Sequence, residues 1–256
     1  MPVQVQLQRP VQVGFFARIP GAFAYPVRGA GVVLVIVGIV VSSMIKFGGI
    51  LVLVGSLRFK IFGMILVVCA TGYLFTYLQS ILHSTAAEER EMPDLAGISF
   101  VEDVFVPFLR FLGLALFCFG PAIGVGLARA PAPAILATAI FGALYFPMAF
   151  LAVAILDSVG AANPLVVVPS MVKVPLEYLA TLILLGVVLG VRPVGDFLIG
   201  KVFPEGFLTH SMGELVAMVA ALAFWAFVSF YLLIVAVHIL GLLYVAKKDK
   251  LAWLAR

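Results

Sequence analysis

The chain has 256 residues, 64% hydrophobic and only 11% charged, with 16 Lys and Arg against 12 Asp and Glu and a net charge of +4. Its mean hydropathy of +1.23 lies far outside the range of water-soluble domains, which are roughly half apolar and about a quarter charged, so a soluble fold is excluded and the bilayer is the solvent. The basic residues flank apolar runs, where topology and headgroup contact account for them, and nucleic acid is excluded as a partner.

Residues 1–29 carry Arg9, Arg18 and Arg28 with Pro20 and Pro26 and lack the apolar core and cleavage site of a signal peptide. They read as an amphipathic segment at the cytoplasmic interface. Unpaired backbone groups are not tolerated in hydrocarbon, so each long apolar run must be a helix of about 20 residues to cross. On that rule residues 30–246 form one transmembrane domain. The first span, 30–54, is interrupted by Lys46, which is expected to snorkel to the headgroups while Gly48 and Gly49 loosen the exit. The second, 61–82, has Tyr73, Tyr77 and Gln79 towards its far end, as an interfacial belt would. Cys69 within it and Cys118 in the third span have no CxxC partner and read as buried thiols.

A polar stretch from His83 to Asp103 leads to the third span, 104–127, where Pro121 is expected to kink or end the helix. A short turn at Arg129 makes this span a hairpin with the fourth, 132–156. Asn163-Pro164 is an N-cap followed by proline at the first helical position, predicting a short interfacial helix over Pro164–Met171. The fifth span, 175–191, is short for a bilayer. Its Gly186 and Gly190, like Gly120 and Gly124 in the third, have the spacing that lets helices approach closely. The sixth, 213–245, is too long for one bilayer and must tilt, kink or protrude, and 247–256 forms a basic tail.

Six spans put both termini on one side. That side holds Arg9, Arg18, Arg28, Arg90, Lys173, Lys247, Lys248, Lys250 and Arg256, nine basic residues, against Lys46, Arg58, Lys60, Arg129, Arg192 and Lys201, six, on the other. The excess predicts cytoplasmic termini in an inner membrane.

Three groups of residues could carry chemistry. Glu88, Glu89, Glu91, Asp94, Glu102 and Asp103 face only Arg90 in one loop; such a loop could dock a basic partner, hold a divalent cation through Glu88, Glu89, Glu91 and Asp94, or simply be solvated. Arg110, Asp157 and Glu177 are ionisable groups near span ends and could pair as an interhelical clasp, Arg110 with Asp157 or Glu177, snorkel separately, or form a substrate or proton site. His238, well inside the sixth span, is a candidate haem ligand only if a second histidine lies at matching depth, and His83 is the sole same-side choice; otherwise it is a hydrogen-bonded packing histidine. Nucleophile elbows, zinc-protease motifs, Walker loops and dinucleotide fingerprints are absent, so no catalytic residue and no cofactor is predicted.

The run Gly72-Tyr73-Leu74-Phe75-Thr76-Tyr77, followed by Glu88-Glu89-Arg90-Glu91-Met92-Pro93-Asp94, resembles the hallmark of the bacterial and archaeal family called domain of unknown function 4013, similar in layout to the multi-span Yip group. Ala22 to Pro26, Tyr145 to Ala149 and Asp157 to Pro164 add to the likeness, whereas Leu95 stands where the family pattern has tryptophan. The resemblance implies a five- or six-span helical membrane protein without catalytic residues. The expectation is therefore an all-α polytopic bundle that is non-catalytic, acting as a scaffold or accessory subunit beside other membrane subunits or copies of itself. The alternative is a permease or channel for a small solute.

Overall fold

Each long apolar run forms a helix whose backbone is satisfied internally, as hydrocarbon requires. The computed structural model describes residues 14–27, 31–89, 93, 99–202, 212–251 and 253, with the backbone alone for 31–35, 212, 214 and 215. Arg9, Arg28, Arg90, Glu91, Asp94 and Arg256 lie outside the described residues. Helix α1 (Phe15–Ala22) is followed by α2 (Gly31–Val54), α3 (Leu57–Ala86), α4 (Val106–Leu127), α5 (Ala132–Leu156), α6 (Pro164–Lys173), α7 (Pro175–Val202) and α8 (Met212–Leu251). Among the described residues, six helices are long and apolar enough to cross a membrane.

Glycines bring the helices together, though other ones than the GxxxG spacing indicates. A Cβ on Gly48 would lie 2.8 Å from the Gly63 carbonyl oxygen, so α2 and α3 touch backbone to backbone. At Gly72 a Cβ would come within 2.0 Å of the Val104 carbonyl oxygen, and at Gly142 within 2.5 Å of that of Cys118. These set the α3–α4 and α4–α5 approaches. Nothing lies within 4 Å of a Cβ placed on Gly120, Gly124, Gly186 or Gly190. Their expected packing role is thus corrected: they face open space.

Helices α2 and α4 end where expected, at Val54 and Leu127, with α2 unbroken through Lys46, Gly48 and Gly49 and α4 continuing through Pro121; other boundaries differ. Helix α7 is not short. It continues through Arg192 and Pro193 to Val202 because its charges find a polar cleft, with Asp196 3.8 Å from Lys46. The basic segment after residue 246 is no free tail either: the backbone leaves helical geometry at Lys247, yet Lys247 pairs with Glu177 at 2.7 Å, Leu251 is buried and the Trp253 indole donates to Ser170 Oγ at 2.9 Å. A turn of π-helix, Phe100–Phe105, feeds α4. The Asn163 carboxamide oxygen accepts from the Leu165 N–H at 2.9 Å, capping α6 as its Asn-Pro start predicts.

Burial is uneven along the bundle. Met148 to Ala154 of α5 and Phe230 to Val245 of α8 contain nearly half of the core, joined by Ile81 and Leu82 of α3 and by Phe15, Ala22 and Tyr25. Helix α2 and the start of α3 instead turn apolar side chains outward, with Leu53 80% and Val54 82% exposed. In a bilayer that surface meets lipid.

Candidate functional site: an apolar cavity between ionic ties

Helix α7 packs along α8 and diverges from α5. Its start is held to α5 where the Tyr178 hydroxyl donates to the Leu144 carbonyl. Beyond that point the two helices part and leave a cavity of about 480 Å³ bounded by α3, α4, α5, α7 and α8, within the range of about 300–1,000 Å³ usual for ligand pockets. One wall is Leu182, Leu185, Gly186 and Leu189 of α7, and facing it are Leu144, Pro147 and Phe150 of α5. The end wall is aromatic: Phe75 meets Phe150 edge-on at 5.5 Å between centroids and Phe111 at 5.6 Å. Gly186 contributes to the volume by having no side chain. All of its lining residues are apolar, so the space accommodates hydrocarbon and offers no charged or polar side chain to a solute.

The polar side chains are drawn into ties around this space. Arg110 donates through both terminal nitrogens to the two carboxylate oxygens of Asp157. The pair fixes the start of α4 to the end of α5, where Asp157 adopts the left-handed backbone (φ 50°) that stops the helix. Glu177, the other partner considered for Arg110, goes to Lys247 and so joins α7 to α8.

His238 sits in a polar knot that the sequence did not reveal. Its ring stacks on Tyr25 with centroids 3.8 Å apart, and Nδ1 lies 2.8 Å from Thr85 Oγ1. Thr85 also lies 2.7 Å from the Ile81 carbonyl. A hydroxyl has one proton, so with that proton on Ile81 it accepts from the His238 Nδ1–H. His83, two residues before Thr85 on α3, is exposed. The two histidines therefore do not form an axial pair, and the haem-ligand candidacy of His238 is corrected to a packing and hydrogen-bonding role. Ser84 donates to Glu89 at 2.7 Å and Arg18 lies 3.6 Å from Glu88. Burial pushes the Tyr25 phenol above its ordinary range, against the lowering effect of Ser84 and Thr85. Together these contacts dock α1 and Tyr25 onto α3 and α8.

The acidic loop is thereby divided. Glu88 and Glu89 serve internal contacts, the Asp103 carboxylate accepts from the Ser99 N–H at 2.8 Å, and Glu102 is exposed. Among the described residues no three His, Cys, Asp or Glu side chains converge as metal ligands. The contacts of Thr85 and Ser170 leave no signal in sequence, because one hydroxyl in an apolar run is indistinguishable from packing until its partner, far along the chain, is known. No protein-family model, curated protein or solved structure matches this chain.

Proposed function

We propose that this chain is a non-catalytic, multi-pass membrane protein that holds the hydrocarbon chain of a bilayer lipid or lipid-linked molecule between α5 and α7, serving as a lipid-binding scaffold or accessory subunit. The observation that carries the reading is the all-apolar lining of the 480 Å³ cavity. Selective passage of a small polar solute needs hydrogen-bonding groups along its path, and the cavity lining has no polar side chain to supply them, which disfavours the permease reading. The resemblance to domain of unknown function 4013 belongs to this proposal. Its quoted residues have structural tasks: Gly72 admits Val104, the Tyr145 hydroxyl donates to the Ala162 carbonyl, and Asn163 caps α6. Cytoplasmic termini in an inner membrane are proposed on the same side excess of Lys and Arg, nine against six.

The test is photochemical. Protein reconstituted with a lipid bearing a diazirine in its acyl chain is irradiated and the modified peptides are sequenced. Labelling concentrated at Leu182–Leu189 and Leu144–Phe150 supports the reading; labelling spread evenly over these residues and the outward face of α2 refutes it.

A further inference from the structure

Lys46, Arg192 and Asp196 lie within the candidate spans of α2 and α7, where ionisable residues are costly and mark functional sites. They converge. Lys46 and Arg192 line one niche of about 40 Å³ with Ser42, Ser43 and Ser229, and Asp196, one turn beyond Arg192, pairs with Lys46. The site is set by close packing: Gly195 admits the Trp225 ring, and Gly38 admits Phe230, where a Cβ would meet either ring at 1.9 Å. These notches clamp α7 and α2 onto α8 beside the niche.

Its charges do not cancel. Two cations face one carboxylate, and among the described residues Arg192 makes no ion pair. Ser43 donates to the Ile39 carbonyl at 2.8 Å, while the Ser42 and Ser229 hydroxyls have no hydrogen-bond partner among the described residues. A fork of guanidinium donors, an ammonium point charge and two hydroxyls suit a phosphate oxyanion. The depth selects its source. Lys46 precedes Val54 by eight residues, about 12 Å along the axis, and Arg192 precedes Val202 by ten, about 15 Å. Both helices outrun a hydrocarbon core of about 30 Å by only about 6 and 12 Å, so the niche lies several ångströms inside the hydrocarbon, a depth from which long Lys and Arg side chains reach the phosphates of the headgroup layer and at which an aqueous anion must shed its hydration. Phe47, beside Lys46, is exposed and offers apolar surface to the same lipid.

We propose that this niche between α2, α7 and α8 binds the phosphodiester of an anionic bilayer lipid, Arg192 and Lys46 holding the phosphate. The site is separate from the apolar cavity, with Leu233 as their shared wall, and does not depend on what fills that cavity.

Native mass spectrometry of the full chain in micelles, titrated with phosphatidylglycerol, with phosphatidylcholine of the same chains, and with inorganic phosphate, tests it. Phosphatidylglycerol should bind saturably, K46Q and R192Q should each weaken it about tenfold, and D196N, by removing the competing carboxylate, should tighten it. Arg129, in the loop at the same end of the bundle, is the control for unspecific charge, and R129Q should match wild type. Phosphatidylcholine binding as tightly as phosphatidylglycerol overturns the proposal, as does a K46Q/R192Q double variant that keeps wild-type affinity. Inorganic phosphate occupying the niche alone would overturn the lipid assignment, and a tenfold loss in R129Q or D196N would show unspecific attraction or misfolding instead.

Discussion

Replacing Gly186 tests whether the cavity is a void or a lipid site. It lies on the α7 wall and nothing stands within 4 Å of a Cβ built there, so Gly186→Ala meets no steric cost and should stabilise the helix by about 0.5–1 kcal/mol from propensity alone. Gly186→Leu adds the same term and pushes three further carbons into the cavity. Were the space empty, those carbons would fill part of a void, a packing term of about 2 kcal/mol, for a total gain of roughly 3 kcal/mol. With an acyl chain already there, leucine carbons replace lipid carbons and the packing gain nearly vanishes. The lipid reading therefore expects both variants to gain similarly, about 2–4 °C in Tm for 1 kcal/mol in a chain of this size, while Gly186→Leu alone loses tightly held lipid. Thermal circular dichroism in micelles and a mass-spectrometric lipid count measure the two quantities. A leucine variant stabilised by some 3 kcal/mol with its lipid content unchanged would refute the argument.

Further variants probe the packing and the ties. Gly72→Ala drives a Cβ to 2.0 Å from the Val104 carbonyl and strains the Thr76 to Asp103 carbonyl hydrogen bond of 2.7 Å, so a loss of about 1–3 kcal/mol is expected in thermal unfolding, whereas Gly190→Ala should be neutral or mildly stabilising. Because the Asp157 side chain is 65% exposed, a double-mutant cycle of Arg110→Gln and Asp157→Asn should give a coupling no larger than about 1 kcal/mol. The raised Tyr25 phenol has a pH consequence with a definite sign. A group that keeps its proton longer when folded contributes stability that is full below its unfolded value, near 10.0, and is lost as pH rises through the folded one. Hydrogen exchange of Phe15–Ala22 should therefore accelerate above pH 10 in wild type, and the excess over Tyr25→Phe should vanish if Tyr25 does not hold α1 down.

Span number and helical class were legible because hydrocarbon forces any long apolar run into a helix; the fourth span was read to its final residues, Ala132 and Leu156, since proline begins it and Asp157 ends it. The fifth was cut short at Val191 because Arg192-Pro193 looks like an exit. That pair lies in a cleft formed with α2 and α8, and partners about forty to a hundred and fifty residues away leave no local mark. The glycines failed for a related reason. A spacing of four is satisfied equally by Gly186/Gly190, which face open space, and says nothing of Gly48 and Gly63, which meet from different helices. Proximity among charges is legible at Arg110 and Asp157, both near the same end of a hairpin, and illegible at Glu177, whose partner Lys247 stands in a basic run that reads as a free tail.

The persistence of the cavity follows from the solvent. In water a gap lined by leucine and phenylalanine would be driven shut, but in a bilayer lipid tails are as apolar as the helix faces and exert no such pull. Helix α7 is fixed by polar contacts towards its two ends: Glu177 with Lys247 and Tyr178 with Leu144 at one, Asp196 with Lys46 at the other. The stretch between, Leu182 to Leu189, meets the cavity with apolar groups only. The contacts with α2 and α8, together with the Gly195–Trp225 packing and the single hydrogen bond to α5, hold α7 at its ends and leave its middle apart from α5. The width available to a hydrocarbon chain should therefore respond to charge removal at Asp196 or Glu177 although neither residue lines the cavity.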